Sequence, residues 1–109
     1  MIHTVPYPFL PAANTYDENR LRARICTIEP YTPAIKMALR RVMDRQRELT
    51  LAYRQYLCDT ALTGVPDYSR LKKIIPKFAK ARREALIALG EDPDTSDLMP
   101  AVPVIRYDA

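Results

Sequence analysis

The longest regular pattern in the sequence is a row of apolar residues between positions 33 and 63. Its members recur at intervals of four and three residues, which places them on one face of an α-helix. Thr32 is a suitable N-cap, Pro33 suits the first helical position, and no glycine or proline follows until Gly64. We therefore predict a helix of about 30 residues, roughly 45 Å long. The predicted seam comprises Ile35, Leu39, Val42, Gln46, Leu49, Tyr53, Tyr56 and Thr60, with Gln46 and Thr60 as its polar exceptions, and it is widened by Met43, Leu57 and Leu62. The opposite face carries Lys36, Arg40, Arg41, Asp44, Arg47, Glu48, Arg54 and Gln55.

A second amphipathic helix is predicted from about residue 68 to residue 89. Gly64 can end the first helix in a left-handed cap, Pro66 prevents its continuation, and Asp67 can cap the next helix. Pro76 removes one backbone hydrogen bond inside the second helix, so we expect a kink there or a break into two pieces. The apolar stripe of this helix comprises Leu71, Ile74, Ile75, Phe78, Ala81, Ala85 and Leu89. A five-residue link between two such helices predicts an antiparallel hairpin.

Both ends of the chain are rich in proline, which favours extended runs. Residues 20–28 alternate arginine with apolar side chains, the pattern of a half-exposed strand, with a short helix starting at Asp17 as the competing interpretation. The candidate partner of such a strand is Ala101–Tyr107, which carries Pro103 and would also be an edge strand. Aromatic residues in a proline-rich arm often lie in a groove of another surface, and the alternative is a loose terminus. The candidate contacts are Tyr7, Phe9 and Tyr16.

These patterns predict a mainly α fold with three segments. Residues 1–32 form an extended N-terminal arm, residues 33–90 form the helical hairpin, and residues 91–109 form an acidic extended C-terminal arm. The apolar stripes are too wide for one helix–helix contact, so the arms or other chains must cover the remainder.

The net charge of +4 is unevenly distributed along the chain. Residues 67–90 contain seven Lys or Arg against two acids, whereas residues 91–109 contain one Arg against five acids. A basic stripe on the second helix could meet phosphates, anionic lipid, an acidic protein, the chain's own acidic tail, or solvent. This predicted basic surface comprises Arg70, Lys73, Lys77 and Lys80.

The sequence contains few residues that could form a catalytic site. Its only histidine is His3, and its two isolated glycines cannot form a phosphate-binding loop. Asp44 and Glu48 lie among arginines, as on a solvated helix face. The two cysteines, Cys26 and Cys58, lack metal-ligand spacing, and we expect buried, reduced thiols, with a single bridge as the alternative. We therefore expect a non-enzymatic protein with no cofactor and no metal.

Residues 49–57, Leu-Thr-Leu-Ala-Tyr-Arg-Gln-Tyr-Leu, resemble the Leu-Tyr-Arg motif of the LYR proteins. Phe78 follows in a basic helix, as a phenylalanine does in that family, while Ala52 stands where the family has leucine. The resemblance spans roughly residues 46–84. It implies a small helical accessory subunit or assembly factor of a mitochondrial complex, with acyl carrier protein as a partner. In that case Tyr53, Arg54 and Phe78 would contact the partner. The alternative is that Tyr53 and Tyr56 are ordinary seam residues.

Two main functions are compatible with this sequence. The first is a structural or accessory subunit of a large multiprotein assembly, with a mitochondrial respiratory or ATP-synthase complex preferred. The second is an RNA-binding or ribosomal protein, which would more often have basic arms than neutral and acidic ones. A viral or phage structural component is a further alternative. No stretch approaches the 18 or so apolar residues of a transmembrane helix, and no cleavable presequence is evident, so we expect a soluble, intracellular protein. The resemblance to LYR proteins implies a mitochondrial location in a membrane-associated complex.

Overall fold

A computed structural model of the chain describes residues 18–103, which form three helices and no strand. The first helix, α1, spans Glu18–Cys26, α2 spans Pro33–Thr63 and α3 spans Ser69–Ala88. The Thr32 hydroxyl accepts a hydrogen bond from the Ile35 N–H at 3.3 Å, as an N-cap does. Gly64 has a φ of +71° and its N–H donates to the Thr60 carbonyl, which ends α2. The mainly α fold is confirmed, with three helices in place of the two predicted.

The start of α3 is held by Asp67, whose carboxylate accepts hydrogen bonds from the Ser69 hydroxyl at 2.6 Å and the Ser69 N–H at 3.0 Å. The helix then continues through Pro76 without interruption and is followed by Leu89 and Gly90, the latter with a φ of +76°. The alternative of two separate helical pieces is therefore wrong, while the kink at Pro76 stays a prediction.

Helices α2 and α3 pack against each other and enclose most of the core. Two contacts show that the helices run in opposite directions. The Tyr56 ring stacks on Tyr68 near the turn, and Arg41 pairs with Glu84 at the far end. Ala52 of α2 and Ala81 and Ala85 of α3 are fully buried, and small side chains at a helix–helix contact allow close approach. The other buried residues of the two helices are Leu39, Val42, Leu49, Tyr53, Tyr56, Leu71, Ile74, Phe78 and Leu86.

Residues 18–26 form a helix rather than the preferred strand, and the competing interpretation of the sequence was the correct one. Leu21, Ile25 and Ile28 are spaced four and three residues apart and pack, half-buried, against the core. The expected extended arm over residues 1–32 is thus wrong over residues 18–26. Cys26 and Cys58 are both exposed and unbonded, so the expected burial of these thiols is also wrong.

Residues 91–103 do not form an extended arm. They turn at Asp92, whose carbonyl accepts hydrogen bonds from the N–H groups of Thr95 and Ser96, and then pack on the core. Leu98 and Met99 are buried, at 7% and 1% exposure, so this C-terminal segment supplies part of the core that two helices alone lack. Residues 101–103 contain no strand, and the rest of the predicted strand lies outside the described residues.

Candidate interaction surfaces

The residues that carry the LYR resemblance divide between the core and the surface. Tyr53 and Phe78 are buried, at 4% and 1% exposure, whereas Arg54 is exposed. The Tyr53 ring lies 5.8 Å from that of Tyr56, which stacks on Tyr68 at 5.4 Å. These side chains pack between helices, which leaves Arg54 as the member of the set that a partner can reach on the folded chain. The predicted contacts Tyr7, Phe9 and Tyr16 lie outside the described residues.

All four residues of the predicted basic surface, Arg70, Lys73, Lys77 and Lys80, are exposed on α3. Lys77 and Lys80 also line a groove of about 310 Å³ between α3 and α2, together with Arg41, Arg45, Ala81 and Glu84. We refer to these six residues as the basic groove. Arg41 was expected to face away from the seam, but its guanidinium donates to the Glu84 carboxylate of α3 at 3.1 Å. The basic surface is therefore continued across the seam by two arginines of α2.

The solvent-exposed side of α2 carries five large apolar side chains, which we call the exposed apolar set. The most exposed is Leu62, at 85%, and Leu51 is half-exposed. Met43, Leu57 and Leu62 were expected to widen the buried seam, and that prediction is wrong because all three lie outside the buried face of α2. The complete set is Met37, Met43, Leu51, Leu57 and Leu62.

Two arginines of α1 hold the acidic residues that follow α3, an arrangement that we call the terminal clasp. Arg20 donates two hydrogen bonds to the Asp97 carboxylate, at 3.0 and 2.9 Å. Arg24 donates to the Leu89 carbonyl at 2.7 Å and to the Glu91 carboxylate at 3.2 Å. Positive charge at the carboxyl end of a helix is favourable, so Arg24 also stabilises the end of α3. Glu91 and Asp97 of the acidic segment therefore meet α1 rather than the basic stripe of α3.

Arg82 organises the C-terminal segment from its other side. Its guanidinium donates to the carbonyls of Pro100 at 2.8 Å, Ser96 at 2.9 Å and Pro93 at 3.3 Å. Burial lowers the pKa of Arg82 from its usual value, because desolvation disfavours the charged form. The neighbouring Arg83 makes a different, exposed contact with the Asp94 carboxylate at 3.1 Å.

The sequence pattern did not predict the contacts of Arg20, Arg24 and Arg82. Arg20 and Arg24 are four residues apart and therefore share a helix face. Glu91, Asp94 and Asp97 recur every third residue after α3. Once residues 18–26 are taken as a helix, the opposite charges of these two segments predict that they pair. The role of Arg82 could not be predicted in this way, because its hydrogen-bond acceptors are backbone carbonyls, which every residue carries.

Asp67 is the other residue in the described part of the chain whose pKa is shifted. The Ser69 hydroxyl, followed by the Ser69 N–H, donates to its carboxylate and lowers its pKa below the ordinary value. A carboxylate with a lowered pKa stabilises the folded state above its unfolded pKa, and this contribution is lost as pH falls through the folded value.

Comparison with protein families, curated proteins and solved structures found no match to this chain. The resemblance to LYR proteins therefore stays a hypothesis that rests on residues 46–84. Within residues 18–103, no helix is long and apolar enough to cross a membrane, and no three His, Cys, Asp or Glu side chains cluster as metal ligands would.

Proposed function

We infer that this chain is a non-catalytic structural subunit of a larger protein assembly. The observation that carries this proposal is the exposed apolar set of α2, five large side chains that the chain itself does not cover within the described residues. They are distributed along a helix of 31 residues, which is about 46 Å long. A partner lying along this length could bury the roughly 800 Å² per side that is typical of a stable interface.

The composition of the same surface supports a protein partner. Apolar side chains alternate there with the exposed cations Lys36, Arg40, Arg47 and Arg54, and arginine and methionine are enriched in protein interfaces. The non-catalytic role rests on the sequence, in which the one histidine is His3. The resemblance to LYR proteins favours a mitochondrial respiratory or ATP-synthase complex as the assembly, with acyl carrier protein among the candidate partners.

A test of this proposal compares the native size of the wild-type chain with that of a Leu51→Ser/Leu62→Ser variant in cells of its source. The chain alone has a mass of 12.5 kDa. We expect the wild type to migrate in native electrophoresis with an assembly many times larger. The variant should migrate at the size of the free chain with an unchanged circular dichroism spectrum, because both leucines lie outside the core.

The matched control is Asp44→Ser, an exposed substitution on the same helix that removes no apolar surface. It should enter the assembly as the wild type does. A wild-type chain that migrates as a free monomer, or a double-leucine variant that assembles normally, would contradict the proposed function.

A further inference from the structure

The basic groove concentrates positive charge that its own residues do not neutralise. Arg41 pairs with Glu84 at 3.1 Å, and Arg45 pairs with Glu48 at 3.0 Å. Lys77 and Lys80 form no ion pair with any carboxylate of residues 18–103. Two carboxylates thus oppose four cations, and two positive charges remain at one site.

The shape of the groove favours a compact ligand over a flat surface. The buried Ala81 lies between the two rows of cations, and its short side chain leaves a recess of about 310 Å³. This volume is near the lower end of the range of about 300–1,000 Å³ found for small-molecule sites. Arg70 and Lys73 extend the positive charge along α3 towards the turn, where it can attract anions to the recess.

The donors in the groove match a phosphoryl group. The planar guanidinium groups of Arg41 and Arg45 can each donate two parallel hydrogen bonds to phosphate oxygens, and the two ammonium groups act as point charges. A phosphate group carries up to two negative charges at neutral pH, which equals the surplus in the groove, whereas one carboxylate would leave a positive charge unopposed. We propose that the basic groove binds a phosphate-bearing anion, either a free phosphate compound or the headgroup of an anionic lipid.

This inference is independent of the proposed function, because the basic groove and the exposed apolar set share no residue. A chain that never enters an assembly could still bind the anion, and a chain that binds no anion could still enter an assembly. The two proposals are therefore tested separately.

The test is calorimetric titration of the full chain with inorganic pyrophosphate at constant ionic strength. We expect saturable binding at one site, and an affinity at least tenfold lower in a Lys77→Gln/Lys80→Gln variant. Both lysines are exposed, so this variant should fold, and the loss of mutual repulsion should leave its Tm equal or higher. The matched control, Lys36→Gln/Arg47→Gln, removes the same charge from exposed positions of α2 outside the groove and should bind as the wild type does.

Absence of saturable binding, or equal losses in the two variants, would overturn the proposal. Competition then separates the sources of the anion. Displacement of pyrophosphate by ADP alone assigns a free phosphate compound, and displacement by a monomeric short-chain phosphatidic acid alone assigns a lipid headgroup. Displacement by a glutamate hexapeptide at lower concentration than either would overturn the proposal in favour of an acidic protein.

Discussion

Arg82 shows how a single side chain can hold a segment that lacks regular secondary structure. Its three acceptors, the carbonyls of Pro93, Ser96 and Pro100, belong to residues that have no helix or strand to satisfy them. Backbone carbonyls removed from water need hydrogen-bond donors, and one guanidinium carries five. The cost of partial burial of its charge is offset by these three bonds.

We predict that Arg82→Ala destabilises the fold by about 3 kcal/mol, the upper end for one hydrogen bond to a charged group, since three acceptors are left without a donor. Urea denaturation would measure the change. The matched control is Arg83→Ala, which should cost at most about 1 kcal/mol because its ion pair with Asp94 is exposed. Equal losses for the two variants would show that the three carbonyl contacts are not the cause.

At the scale of the elements, we expect α1 to depend on the terminal clasp. It has nine residues and no buried side chain, whereas isolated helices shorter than about 12–15 residues are marginal in water. We expect Arg20→Ala/Arg24→Ala to release α1 and to raise amide hydrogen exchange over residues 21–26, with α2 and α3 still protected. Arg22→Ala is the control, because Arg22 pairs with Glu18 within the same helix. Protection of α1 in the double variant would mean that Leu21 and Ile25 alone are sufficient to hold it.

The elements also differ in how far the sequence specifies them. The limits of α2 follow from local chemistry at Thr32, Pro33 and Gly64, and its buried face follows from its spacing, so both could be predicted. The segment Arg-Leu-Arg-Ala-Arg-Ile satisfies a strand period and a helix period at once, and its contacts with residues 89–97 decide between them. The packing of residues 91–103 could not be read from proline and acid content, because it depends on donors from α1 and α3. For the candidate surfaces, the exposed lysines of α3 were predictable, whereas the groove required the register of α2 against α3.

At the scale of the whole molecule, the C-terminal segment belongs to the core rather than to a separate arm. Truncation after Gly90 would remove Leu98 and Met99, each worth about 1.5–3 kcal/mol when fully buried. We expect the Tm of the truncated chain to fall by at least about 10 °C, since 1 kcal/mol shifts the Tm of such a domain by about 4–8 °C. Differential scanning calorimetry would measure the shift, with Ala101→Ser, at an exposed position, as the control that leaves Tm unchanged. An undiminished Tm after truncation would show that α1, α2 and α3 form a sufficient core.

The terminal clasp also has a consequence for the order in which the chain acquires its structure. Its hydrogen bonds join residues 65, 67 and 77 positions apart, so they carry the highest loop-closure cost and should form after α2 and α3 have paired. During synthesis at about 5–20 residues per second, residues 18–26 emerge several seconds before residues 89–97 exist. Throughout that interval the acceptors of the terminal clasp are missing, so Arg20 and Arg24 cannot yet hold α1 in place. We therefore expect residues 18–28 to be synthesised early and to reach their final packing late.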